Sequence, residues 1–139
     1  MAKELYESGS HFITYNYEDR MIYHNAVINP GQHYSTSTGE YTCPVTGFYF
    51  FSYSVSGYSI AGTRLGDVAC ASLFREGARI SKISAANFDS EEVDVNLSHS
   101  DIIECNEGDR VWVQSCCYNN HIYGEDVFSV FSGALLNIA

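Results

Sequence analysis

The sequence predicts an all-β fold, an antiparallel sandwich or jelly roll. Three observations carry that prediction. Short apolar runs alternate with turn clusters along the whole chain, and no helical periodicity of useful length interrupts them. Aromatic residues are abundant, with eleven Tyr, eight Phe and one Trp in 139 residues, and such side chains suit pleated, half-buried surfaces. Residues 47–55 read GFYFFSYSV, a nearly continuous apolar and aromatic run of strand length.

Taken in order, residues 11–15 and 21–28 read as the first strands. Asn29-Pro30-Gly31 is a turn, because Pro sets φ and Gly permits positive φ. Thr38-Gly39-Glu40 is a second turn, and 47–55 is the central sandwich strand. Residues 56–66 carry Gly57, Gly62 and Gly66 and read as a long loop. A strand over 67–74 turns at Glu76-Gly77 into a less regular strand over 79–84. Residues 87–94 form an acidic loop. Strands 97–105 and 110–117 flank Asn106-Glu107-Gly108-Asp109, read as a short hairpin connection. Residues 118–126 are a polar loop, and 127–138 close the chain as a strand. Within GDRVWV, Val111 and Val113 face one way and Trp112 the other, so the second face is covered as well. No repeat or linker divides the chain: 1–10 is an N-terminal extension and 11–139 one globular domain.

Composition narrows the function classes. Hydrophobic residues make up 45%, enough for a real core and against disorder. The formal net charge is −10, which repels nucleic-acid phosphates and anionic membrane surfaces and favours cations or basic partners. The longest apolar stretch, 48–55, is too short to span a bilayer. The polar start, Met1 to Ser10, is no signal peptide. Asn96-Leu97-Ser98 is a glycosylation sequon, a triplet that also arises by chance.

Five cysteines, at 43, 70, 105, 116 and 117, leave one thiol free or paired between chains. None has a C-x-x-C spacing, and Cys116 and Cys117 point to opposite faces of a strand, so a zinc site is disfavoured. The default for each is a small buried apolar residue. The five His residues show no H-x-H or H-E-x-x-H spacing. There is no G-x-S-x-G elbow and no phosphate loop. The chain is read as a non-enzyme.

Over Tyr23 to Val55 the pattern becomes specific. Tyr23, Asn29, His33, Tyr34, Ser37, Thr38, Gly39, Tyr41, Cys43, Gly47, Tyr49 and Phe50 match, in order, what resembles the signature of the C1q globular-domain family within the C1q and tumour-necrosis-factor superfamily. Gly108 to Gln114 is similar to that family's Gly-Asp-x-Val-Trp-Leu-Gln strand, and Phe131 to Leu136 to its closing Phe-Ser-Gly-Phe-Leu-Leu strand. The default role of each matching residue is core packing.

The resemblance implies a jelly roll of ten strands in two sheets, assembling as a three-fold homotrimer. It places Tyr123 near the trimer axis. It implies a calcium site near the trimer apex, with carboxylates of the 87–94 loop as ligands: Asp89, Glu91, Glu92 and Asp94. A solvated acidic loop is the alternative reading of the same residues. The 56–66 loop is longer than is common in the family, and its Tyr58 and Arg64 are candidates to stack on or bond a sugar or anion; a plain insertion also explains it. No Gly-X-Y stalk is present. The implied function is a secreted, lectin-like pattern-recognition protein of innate immunity binding microbial surface glycans, with calcium bridging an acidic protein to anionic ligands. The alternative is a signalling ligand that engages a protein receptor through grooves between protomers.

Overall fold

The structure is a computed structural model describing residues 2–3, 13–15, 17–23, 25–26, 29–59, 66–87, 93–116, 120–122 and 130–138. Eleven strands are present among the described residues: β1 (Ala2–Lys3), β2 (Ile13–Tyr15), β3 (Asn25–Ala26), β4 (Tyr41–Thr42), β5 (Gly47–Ser59), β6 (Gly66–Arg75), β7 (Ala78–Asn87), β8 (Val93–Cys105), β9 (Arg110–Ser115), β10 (Asn120–Ile122) and β11 (Val130–Ile138). They form a seven-stranded and a four-stranded antiparallel sheet, the two layers expected of a sandwich. In the larger sheet β5 is central, with β8 along one edge and β11, then β10, along the other. The smaller sheet runs β4-β9-β6-β7. Ala2–Lys3, inside the stretch read as an extension, pairs with both β11 and β3.

Alternation on β5 builds the core. Tyr49, Phe51, Tyr53 and Val55 are buried, whereas Phe48 and Phe50 are exposed. On the facing sheet Ala69, Ala71, Leu73, Val111 and Val113 meet them. Aromatic rings dominate the middle. Phe51 stacks on Tyr49 and on Phe131, each at 6.0 Å between centroids, and meets Tyr41 edge-on at 5.3 Å. These offset and edge arrangements are the favoured ones for ring quadrupoles. The outward side of the four-stranded sheet is covered as expected: Trp112 stacks on Phe74, and the Arg20 guanidinium lies 4.3 Å above its ring. A 2.8 Å ion pair to Glu40 holds Arg20 there.

Four local expectations change. The loop read over 56–66 is strand up to Ser59, because β5 and β8 stay in register from Gly47↔Cys105 to Ser59↔Val93. Gly57 marks a close approach of the sheets and not a turn; a Cβ there would lie 2.3 Å from Ala69 Cβ. Gly57→Val is therefore expected to destabilise the fold by about 3 kcal/mol through overpacking, read as a lower urea midpoint. The turn at 106–109 is not a ladder hairpin: β8 and β9 belong to different sheets, so it crosses the sandwich. Its shape is nonetheless local, with Asn106 N–H donating to Asp109 Oδ2 at 2.9 Å and Gly108 at φ 88°. The polar stretch 118–126 contains β10, whose backbone groups pair with β2 and β5. Finally, Cys70 and Cys116 are disulfide-bonded, not separate buried thiols. They occupy the neighbouring strand β6 and the residue just past β9, one step beyond the Ala71↔Ser115 pair. Cys43 and Cys105 are free and buried, as the default reading has it.

Candidate functional site

Most of the ligand candidates fall in stretches that the sequence reads as loops. Arg64, Asp89, Glu91, Glu92 and Tyr123 lie outside the described residues, as do the side chains of Tyr58 and Asp94. What the backbone does fix is one juxtaposition. Tyr58 and Asp94 are directly opposed on β5 and β8, so a candidate stacking residue and a candidate calcium ligand share one face at the same end of the sandwich. No group of three or more potential metal-ligating side chains occurs among the described residues.

Two further surfaces are built from residues read mainly as fold determinants. The first is the outward face of the seven-stranded sheet. Register places Ala134, Phe50 and Ile102 in one row across β11, β5 and β8. All three are exposed, Phe50 at 36% and Ile102 at 65%, with Phe48 beside them on β5. Toward the other end of this face the rows turn polar: Ser132-Ser52-Ser100, then Ser54 opposite Ser98, then Ser56 opposite Asn96. Ser56 Oγ donates to Asn96 Oδ1 at 2.5 Å, so the sequon asparagine sits on this polar half. The alternation of β5 already contained the signal: Phe48 and Phe50 cannot face the core if Tyr49 and Phe51 do.

The second surface is a cleft of about 270 Å³ beside β11, walled by Asn29, Pro30, His33, Tyr41 and Leu135. Its floor includes Gly133, where a Cβ would sit 2.6 Å from the Phe51 ring, so only glycine lets β11 lie on that aromatic. Asn29 is spent on architecture: its Nδ2–H donates to Tyr34 O at 2.9 Å and its Oδ1 accepts from Tyr34 N–H at 3.2 Å. Burial, and then the neighbouring Cys43, push the Tyr41 phenol up to about 12, so it is a neutral hydrogen-bonding group across the physiological range. The cleft offers apolar walls with His33 and Tyr41 as polar tips, a lining suited to binding and lacking an activated nucleophile.

Among the described residues, Ser, His and Asp do converge between the sheets. Tyr53 Oη lies 2.9 Å from Ser81 Oγ, Ser81 donates to Asp101 Oδ2 at 2.5 Å, and His99 Nε2 lies 3.2 Å from Asp101 Oδ1. The carboxylate is in the middle. A serine nucleophile needs the imidazole next to it to take its proton, and here serine and histidine both address the aspartate. The network ties β7 to β5 and β8 and has no catalytic geometry.

Comparison with known proteins agrees with this architecture. The C1q domain family matches residues 7–136. A complement C1q subcomponent of Mus musculus is 34% identical over 82% of the chain, and the match covers 42% of that protein. Complement C1q and tumor necrosis factor-related protein 9A of Homo sapiens is 30% identical over 85% of the chain and 32% of its own length. The chain thus spans less than half of these relatives. Among solved structures, the globular domain of zebrafish complement 1qA superposes with a TM-score of 0.69 at 20% identity, covering 94% of each chain. Eiger TNF from S. frugiperda gives 0.74 at 13% identity over 100% of this chain and 94% of that one, a likeness of fold alone. Domains of this type are ligands without catalytic activity, which agrees with the absence of a nucleophile motif in the sequence. In its sequence blocks, its two-sheet jelly roll and its match over nearly all of its length, the chain belongs to the C1q domain family.

Proposed function

We propose that the chain works as a secreted, self-associating trimer that binds microbial surface glycans with calcium as a bridge. The observation that carries the assembly is the apolar end of the outward sheet face. Phe48, Phe50, Ala134 and Ile102 are contiguous there, and a sheet face with such a row is stabilised by covering it. Three-fold closure is what the family resemblance implies, and closed symmetry buries the row on every protomer. The Cys70–Cys116 disulfide supports an oxidising, extracellular setting. No helix among the described residues is long and apolar enough to cross a membrane.

The ligand side of the proposal rests on charge. A domain carrying −10 repels anionic glycans unless a cation mediates. Asp89, Glu91, Glu92 and Asp94, tripled around a three-fold axis, supply oxygen ligands of the kind calcium prefers, and Tyr58, Arg64 and Tyr123 are the proposed direct contacts. The test is a glycan array read with calcium and again with excess chelator, beside multi-angle light scattering. A trimer mass at micromolar concentration, with glycan signal lost at least tenfold on chelation, is the expected result. Glycan binding indifferent to chelator removes calcium from the proposal. A monomer by scattering removes the assembly. A trimer that binds no glycan but is captured by a cell-surface receptor is instead a signalling ligand.

A further inference from the structure

We propose that Cys43 and Cys105 are a second redox pair, closing by thiol–disulfide exchange into a bond that cross-links the two sheets and interlocks with Cys70–Cys116. The argument starts from placement. Cys43 directly follows β4 of the four-stranded sheet, and Cys105 is the last residue of β8 in the seven-stranded sheet. Both side chains are 1% exposed. The Cys43 backbone is clamped to the sheet-crossing turn: its N–H donates to Asp109 O and its carbonyl accepts from Gly108 N–H, each at 2.8 Å. Cys105 is held from the other side by pairing with Gly47. These restraints place both thiols in one buried cluster, close enough that each perturbs the ionisation of the other.

Two neighbouring buried thiols are separated from a disulfide by two protons, two electrons and a closing movement to the ~2.05 Å of a covalent S–S bond. The electron acceptor is a low-molecular-weight disulfide, RSSR. We take Cys105 as the first attacker: burial raises its pKa, but the neighbouring Cys43 thiol and the Arg75 guanidinium act against that, whereas burial and the neighbouring Cys105 both disfavour the Cys43 thiolate. The Cys105 thiolate displaces one RS⁻ and forms a mixed disulfide. Cys43, deprotonated, then attacks the Cys105 sulfur and displaces the second RS⁻. The protein dithiol loses two electrons, RSSR becomes two RSH, and the two thiol protons end on those products.

The conditions that keep Cys70–Cys116 closed are oxidising ones, so an acceptor of this class is at hand wherever that bond persists. The two bridges overlap in sequence, 43–105 crossing 70–116, and the new one encloses a longer stretch than the 46-residue separation of the first. Cross-linking a longer loop restricts the unfolded chain further. The bond also fixes the end of β5 and β8 that carries Phe48. This inference is independent of the ligand and of the oligomeric state.

The test is peptide mapping of the full chain refolded in glutathione buffers of graded potential, acid-quenched, and alkylated in denaturant. Trypsin leaves Cys43 alone in peptide 21–64 and Cys105 alone in peptide 83–110, while Cys70 falls in 65–75 and Cys116 in 111–139. The expected result is a species joining 21–64 to 83–110, two hydrogens lighter than their sum, in the buffers that also join 65–75 to 111–139. Recovery of Cys43 and Cys105 as separately alkylated peptides, where the Cys70–Cys116 link is complete, overturns the proposal. A persistent glutathione adduct on either cysteine overturns it too, because the second thiol then fails to resolve the first. Cys43→Ser is the control: it is expected to leave Cys105 in adduct form and to abolish the linked species.

Discussion

Phe51→Ala is expected to lower the unfolding free energy by about 3–5 kcal/mol, a large share of the stability of a domain this size. The reason is its position as the shared partner of three rings. It stacks on Tyr49 along its own strand and on Phe131 of β11, and it receives Tyr41 edge-on. Gly133 lies flat against it, so β11 is spaced from the core by this ring. Truncation removes the transfer free energy of a fully buried aromatic and leaves a cavity whose walls are themselves pinned. Tyr49 is tied by its hydroxyl, which donates to Val45 O at 2.5 Å, and Phe131 is packed from its other neighbours Tyr23 and Tyr34. Little collapse is open to them, which puts the cost in the upper part of the usual range. Urea denaturation with an unchanged m-value and a shifted midpoint checks it. A loss under about 1 kcal/mol would mean that Phe51 is not the hub of the aromatic cluster.

Much of this cluster is written in residues 47–55. The run reads as one continuous apolar strand; the structure divides it by alternation, burying Tyr49, Phe51, Tyr53 and Val55 and exposing Phe48 and Phe50. The same rule assigns Val111 and Val113 inward and Trp112 outward. Where the reading failed, a residue type carried two meanings. Gly57 signalled a loop because glycine permits turns, yet it serves close sheet approach, which depends on Ala69 in another strand. Asn106 to Asp109 has the composition of a hairpin turn and makes one locally, but the sheets its flanks join are decided by distant partners. The Cys70–Cys116 bond depends likewise on β6 and β9 being neighbours, which spacing along the chain does not encode. Residue 120 begins a strand in a polar stretch because backbone pairing with β2 recruits it, a partner that local composition does not reveal.

The candidate site is legible to a different depth. Patterns of burial repeat over many residues and correct one another, so the sandwich survives a few misread turns. A ligand site rests on single side chains in loops, where polar composition fits a solvated turn as well as a metal cage. Tyr58 and Asp94 are the exception in part, since strand register fixes their backbones opposite each other. The cleft by β11 was invisible for a related reason. Asn29, His33 and Tyr41 were legible as fold markers, and one residue can pack on one side while lining a surface on the other.

Replacing Phe50 and Ile102 together by Asp is expected to weaken self-association at least a thousandfold while leaving the protomer folded, a threshold of ~4.1 kcal/mol. The two are cross-strand partners on the outward face, and neither belongs to the buried core. Stability of the single chain is therefore little changed, apart from like-charge repulsion between adjacent carboxylates. In an assembly that covers this face, each protomer loses the burial of two large apolar side chains, about 1.5–3 kcal/mol apiece at full burial. It must also desolvate two carboxylates, at several kcal/mol per ion. Together the two contributions exceed the threshold even when burial of the face is partial. A Ser52→Asp variant, two residues along the same strand but in the serine row, separates the apolar end from the polar one. Its charge has hydroxyl neighbours and room for water, so a smaller loss is expected. Sedimentation velocity over a concentration series, with circular dichroism as the fold control, reads the parent and both variants. If the double variant assembles as the parent does, the apolar row is not the contact surface, and the assembly must be sought on another face of the sandwich.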